Sequence, residues 1–217
     1  MNWPCLRVSC WQGGYYEDFD DPAFSDAGQY IEKRYVGRTD EELAGEDLEI
    51  QVRTVRGRLK DHGSVEYVAA SPMKRCVQTA ALLFAGRAPL LFDELRECDF
   101  GLFEGHNYEE LKDLPVYREW LASKGELPFP GGESHDAFKD RCVSGFSRAA
   151  DCLIRKGCAR AGMVVHGGTI MAVLSRFDPK QRGFYEWQPE NGGGYAVTLD
   201  EDEWKQGRIV FTEIEVL

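Results

Sequence analysis

Residues 65–80 read VEYVAASPMKRCVQTA. Val65 to Ala70 is a short apolar run of the kind that forms a buried strand, Ser71 and Pro72 interrupt it, and from Lys74 to Phe84 the apolar residues recur at helical spacing. The chain is therefore expected to turn sharply from strand into helix. A helix N-terminus offers unpaired N–H groups and the positive end of the helix dipole, and Arg75 adds a planar fork that grips two phosphate oxygens together. Taken alone, the stretch fits two readings: an anion site, or an ordinary α/β crossover with Arg75 as a surface cation.

Downstream, Ala88 to Phe92 reads as a second strand and runs into LRECDFGLFEG at 95–105. Glu97 follows an apolar strand end and sits among Phe100, Phe103 and glycines, a setting that raises a carboxyl pKa and suits a general acid; a surface carboxylate is the other reading. Tyr108 to Ser123 is expected to be helical, PFPGGES at 128–134 to turn, and Ser134 to cap an amphipathic helix over Ala137 to Lys156. Met163 to Val165 is a short apolar strand that ends in His166, Gly167 and Gly168, with a helix from Thr169. The two glycines permit a tight turn close to a ligand, and the imidazole falls at the C-terminal edge of a sheet, where open α/β folds bind ligands. Two strands, Tyr195 to Leu199 and Arg208 to Val216, flank an acidic turn, and Asn191 to Tyr195 is a candidate pocket rim. His106 and His135 lie on polar ground and read as surface residues.

Upstream, Asp47 to His62 is an amphipathic helix closed by Gly63, with His62 a helix-end cation, and EKRYVGRTDEEL at 32–43 is a polar loop turning at Gly37. A chain of 217 residues with 43% hydrophobic content can bury one substantial core, so residues 1–217 are expected to form a single domain with a small cap over 102–135. No segment is apolar for long enough to span a membrane, and residues 1–20 lack the pattern of a signal peptide, so a cytoplasmic protein is expected. Seven cysteines without a CxxC pair indicate neither a disulfide framework nor a zinc site. The net charge of -11 argues against a nucleic-acid binder but leaves room for a small phosphorylated substrate held by a few local arginines.

SPMKRCVQTA, LRECDFGLFEG, PGGES and VVHGG, in this order and spacing, resemble the motifs of the histidine phosphatase superfamily, the phosphoglycerate mutase-like fold, and YVGRTDEEL resembles the loop after that family's N-terminal motif. The resemblance covers residues 31–175 and implies a three-layer α/β/α sandwich around a mainly parallel sheet, without metal or cofactor. It also implies roles. Arg75 would bind the transferring phosphoryl group, Glu97 would protonate the leaving oxygen, His166 would donate to the phosphoryl oxygens, and Gly37 and Gly167 would line the phosphate side of the pocket. DFGLFEG and the short segment before PGGES resemble phosphatases, α-ribazole phosphatases among them, more than mutases.

The family's nucleophile is the histidine of an arginine-histidine-glycine motif at the end of the first strand, and this chain does not contain it. Counting back from EKRY, its place is held by Ala23, Phe24 and Ser25. Yet codons read one base later across Tyr16 to Gln29 can spell M-K-I-L-M-I-R-H-S-A-T-P-G-N, a start, an apolar strand and the arginine-histidine motif in register with EKRY. Residues 1–30 are accordingly expected to be a frame-shifted translation of an ordinary family N-terminus. The rival expectation is an inactive phosphate-binding protein, in which Leu6 to Trp11 must fill the slot of the missing central strand. A phosphoglycerate mutase is the third.

Overall fold

The computed structural model describes residues 5–12, 34–43, 48–60, 63–123, 125–189 and 193–217. Among them a six-stranded sheet is built from β1 (Cys5–Gln12), β2 (Tyr67–Ala70), β3 (Leu90–Leu91), β4 (Arg160–Val165), β5 (Gly194–Asp200) and β6 (Phe211–Val216), in the order β3-β2-β4-β1-β5-β6. β3, β2, β4 and β1 run parallel, and β5 and β6 complete the sheet antiparallel. The helices are α1 (Leu48–Lys60), α2 (Lys74–Leu83), α3 (Tyr108–Leu111), α4 (Pro115–Ala122), α5 (His135–Arg155), α6 (Gly167–Phe177) and α7 (Glu201–Lys205).

Strand alternation sorts the core into two layers. Val68, Ala70, Val164 and Ala196 face one side, where α1 and α2 bury Val52, Val55, Cys76, Ala80 and Leu83 against them. Ala69, Met163, Val165, Val197 and Leu199 face the other, against Phe146 and Leu153 of α5 and Ile170 and Leu174 of α6. This is the α/β/α sandwich with a mainly parallel sheet that the motifs imply. A third cluster gathers Tyr35, Phe100, Phe103, Tyr117, Trp120 and Phe138, most of it in the segment after β3.

The central slot of the sheet is filled by β1. Val8 is fully buried there, in register with Ala161 of β4 on one side and Val197 of β5 on the other. Leu6 to Trp11 therefore takes the place that a missing first strand would leave open. Residues 16–29, which carry the shifted-frame motif, lie outside the described residues, as do His62 and Asn191.

Other expectations need correction. Tyr108 to Ser123 is two helices, because Pro115 disfavours helical backbone before it and is preorganised for the first position of α4. The acidic turn between the last strands contains α7, whose first N–H groups are taken by the Asp200 carboxylate. The helix after His166 starts at Gly167, two residues earlier than Thr169.

Candidate active site

β2 and β4 are parallel neighbours, so their C-terminal ends open on the same edge of the sheet. The Ser71 N–H continues the ladder by donating to the Val164 carbonyl at 3.0 Å. That bond brings the two strand-to-helix turns together: Arg75 in the first turn of α2, and His166 immediately before α6. Arg75 and His166 are each 2% exposed.

The two side chains are bonded. Arg75 Nε donates to His166 Nδ1 at 3.3 Å, while its Nη1 donates to the Thr39 carbonyl at 2.7 Å and its Nη2 to the Gly37 carbonyl at 3.0 Å. Because Nδ1 accepts, the imidazole proton is on Nε2, which points at the Ser71 hydroxyl 2.9 Å away. Burial, followed by the charges of Arg75, Arg141 and Arg96, holds the His166 pKa well below its ordinary value. At neutral pH His166 is therefore a neutral donor rather than a cation. Gly37 is required for this closeness, since a Cβ there would sit 1.8 Å from the Cys98 carbonyl.

Glu97 reaches the same place from the turn after β3. Its Oε1 accepts from the Cys98 N–H at 2.9 Å and its Oε2 from the Gly168 N–H at 3.4 Å, so the carboxyl rests on the first turn of α6 beside Gly167. Any side chain at Gly168 would put Cβ 2.6 Å from Oε1. Burial raises the Glu97 pKa, against the Cys98 N–H, Arg75, the Gly168 N–H and Arg141, which lower it. The structure thus brings Arg75, Glu97, His166, Gly37 and Gly167 to one edge. A cation, a neutral imidazole N–H and a carboxyl biased toward its protonated form can hold a phosphoryl group and supply a proton to a leaving oxygen.

At the N-terminus of α2 the first N–H is already taken, because the Asp40 carboxylate accepts from the Lys74 N–H at 2.7 Å. The buried cation of this turn is the Arg75 side chain. His135 is not a plain surface residue either. It is partly buried, with its ring 4.7 Å from that of Phe184, and burial lowers its pKa. His106 is exposed and bonded to the Glu104 carbonyl. Neither histidine joins Arg75 and His166. Cys76 does approach, with Sγ 3.5 Å from His166 Nε2, but burial pushes its thiol pKa up to about 12, so the thiolate that a nucleophile needs is suppressed.

Sequence reading missed two supporting residues. Arg141 of α5 donates to the carbonyls of Glu94, Arg96 and Glu97 at 2.9, 2.8 and 3.2 Å and grips the Glu133 carboxylate with Nε and Nη2, at 2.8 and 2.7 Å. It ties the Glu97 backbone to the PGGES turn. Glu104 accepts from Gly37 and Thr39 across the loop. An arginine seven residues after a capping serine was the only local hint of the first, and the carboxylate between Phe103 and Gly105 of the second.

Comparison with known proteins identifies the fold and the family. The fold is shared with an Escherichia coli K-12 protein proposed as an alpha-ribazole-5'-P phosphatase, at TM-score 0.75 and 20% identity over 98% of this chain and 95% of that one. A phosphoglycerate mutase from Thermus thermophilus superposes at TM-score 0.61 with 28% identity, over 98% and 99% of the two chains. Phosphoglycerate mutase-like protein 4 of Arabidopsis thaliana is 31% identical over 157 residues, 70% of this chain and 66% of that protein's length. Residues 28–212 match the family described as histidine phosphatase superfamily, branch 1. With the matched segment spanning β2 to β5 and the edge that carries Arg75, Glu97 and His166, the chain belongs to the histidine phosphatase superfamily.

Proposed function

We propose that this fold binds and hydrolyses a small phosphomonoester without metal or cofactor, and that the chain as written retains the binding and proton-donating half of the site while lacking the nucleophile. The observation that carries the reading is the convergence of Arg75, His166 and Glu97 on one strand-end edge. Arg75 grips the phosphoryl oxygens, His166 Nε2–H donates to one of them in place of Ser71, and the protonated Glu97 carboxyl delivers its proton to the departing oxygen. The attacking group in the family is a histidine that becomes phosphorylated, then is released by water.

The match to the family begins at residue 28, beside the point where the shifted and written reading frames rejoin. This supports the reading of residues 1–30 as a frame-shifted N-terminus whose proper frame carries the nucleophile. The specific observation favouring a binding-only protein is that Trp11 and Gln12 end the central strand, where the family has its motif. A phosphoglycerate mutase is the weaker reading, because DFGLFEG and the short segment before PGGES resemble phosphatases. Selectivity is assigned to residues 102–135, and α-ribazole phosphate and sugar phosphates are the first substrates to try.

Titration of the full chain with inorganic phosphate, followed by calorimetry, tests the binding half. The chain as written should bind phosphate, and Arg75→Ala should weaken binding by about 10- to 100-fold, the loss of a charge-assisted pair. Equal affinity in the two proteins would remove Arg75 from the site.

A further inference from the structure

We propose that Glu104 is a positioning residue for the Arg75 guanidinium, acting through the peptide groups of Gly37 and Thr39. The inference rests on the phosphoryl-site reading above. Glu104 lies at the end of the short 3-10 turn Gly101–Phe103, at the start of the 102–135 segment. Its Oε1 accepts three hydrogen bonds, from the Gly37 N–H, the Thr39 N–H and the Thr39 hydroxyl, each 2.8 Å long.

The same two residues present their carbonyls to Arg75, at 3.0 Å from Gly37 and 2.7 Å from Thr39. The loop is thus held between an anion on its N–H side and a cation on its C=O side. Each peptide bond polarises the next in such a chain, so the carboxylate strengthens the carbonyls that orient the guanidinium. Gly37 has no room to shift toward Cys98, because even a Cβ would overlap the Cys98 carbonyl there. Movement of the loop away from Arg75 is what Glu104 prevents. Among the described residues the second Glu104 oxygen, Oε2, is buried without a hydrogen-bond partner, so Oε1 alone does the holding.

The segment that carries Glu104 is tied to the same loop by backbone bonds. Gly105 N–H donates to the Tyr35 carbonyl at 2.7 Å and Tyr35 N–H to the His106 carbonyl at 2.9 Å. Glu104 therefore connects the segment to which selectivity is assigned with the phosphate grip.

The test uses the full chain with inorganic phosphate as probe, together with the NMR signal of the Arg75 Nε–H, which reports its bond to His166. Glu104→Ala should weaken phosphate binding about tenfold and shift or broaden the Arg75 signal, whereas Glu104→Gln, which keeps an acceptor oxygen but loses the negative charge, should fall between the parent and Glu104→Ala in both readouts. A merely structural residue would not be rescued in this way. Should Glu104→Ala fail to fold, Thr39→Val removes one of the three donors and should move the same signal. Parental affinity and an unmoved Arg75 signal in Glu104→Ala, or in Thr39→Val where the alanine variant does not fold, would overturn the assignment. If the parent itself binds no phosphate, the phosphoryl-site reading falls, and the Arg75 signal still decides the role of Glu104 by moving or not moving.

Discussion

Glu97 is the residue where folding and chemistry oppose each other. Burial favours its neutral carboxyl, while the Cys98 and Gly168 N–H groups, Arg75 and Arg141 favour the carboxylate, and the balance leaves the pKa raised. A group whose folded-state pKa lies above its unfolded value contributes stability that is complete below the unfolded pKa and is lost as pH rises through the folded pKa. Glu97→Gln cannot ionise and escapes that loss. The melting temperature of Glu97→Gln relative to the parent should therefore rise as the pH is taken upward from the ordinary glutamate range, read from a series of thermal melts. Parallel curves for the two proteins would mean that burial does not favour the protonated form. His166 obeys the same rule with the opposite sign of charge: burial and three arginines keep it neutral, which suits a hydrogen-bond donor and excludes a second fixed cation.

At the scale of elements, β1 decides most. It lies between β4 and β5 with Val8 fully buried, so Val8→Asp would put an unpaired carboxylate in the centre of the sheet. The expected cost is about 3 kcal/mol or more, enough to lower or abolish the cooperative urea transition. An unchanged midpoint would place Cys5–Gln12 outside the core.

The elements that local sequence reads well are those set by local chemistry. The Val65–Ala80 turn, the Ser134 cap, which accepts from the Ala137 N–H at 3.2 Å, and the strand ending at His166 all follow from neighbouring residues. Pro115 was also a local signal, and it outweighs the helical spacing around it. The clamp around Arg75 was not legible, because Glu104 meets Gly37 across 67 residues and Arg141 meets the Glu94–Glu97 carbonyls across 44 to 47. Nothing in a local pattern encodes such a meeting, and only the fold makes it.

For the whole molecule, four distant segments build one edge around Arg75, Glu97 and His166: the 34–43 loop, the β2–α2 turn, the turn after β3 and the β4–α6 turn. All four lie downstream of residue 28, within the part that matches the histidine phosphatase superfamily. Among the described residues no helix is long and apolar enough to cross a membrane. On the proposed reading, what the site lacks is confined to the segment before residue 31. A change of reading frame there can restore the arginine-histidine motif without altering the sequence that carries Arg75, Glu97, His166 and their supports. Coding DNA unable to spell that motif in any frame would instead make the chain a phosphate binder without turnover.

The most direct measurement compares hydrolysis of p-nitrophenyl phosphate by the chain as written with hydrolysis by a chain whose residues 16–29 are replaced by the shifted-frame sequence, with acid quenching to trap phosphohistidine. The repaired chain should turn over faster by about 1,000-fold or more and form an acid-labile phosphoenzyme, whereas the written chain binds phosphate without turnover. Equal rates in the two chains, or a repaired chain that forms no phosphoenzyme, would contradict the account.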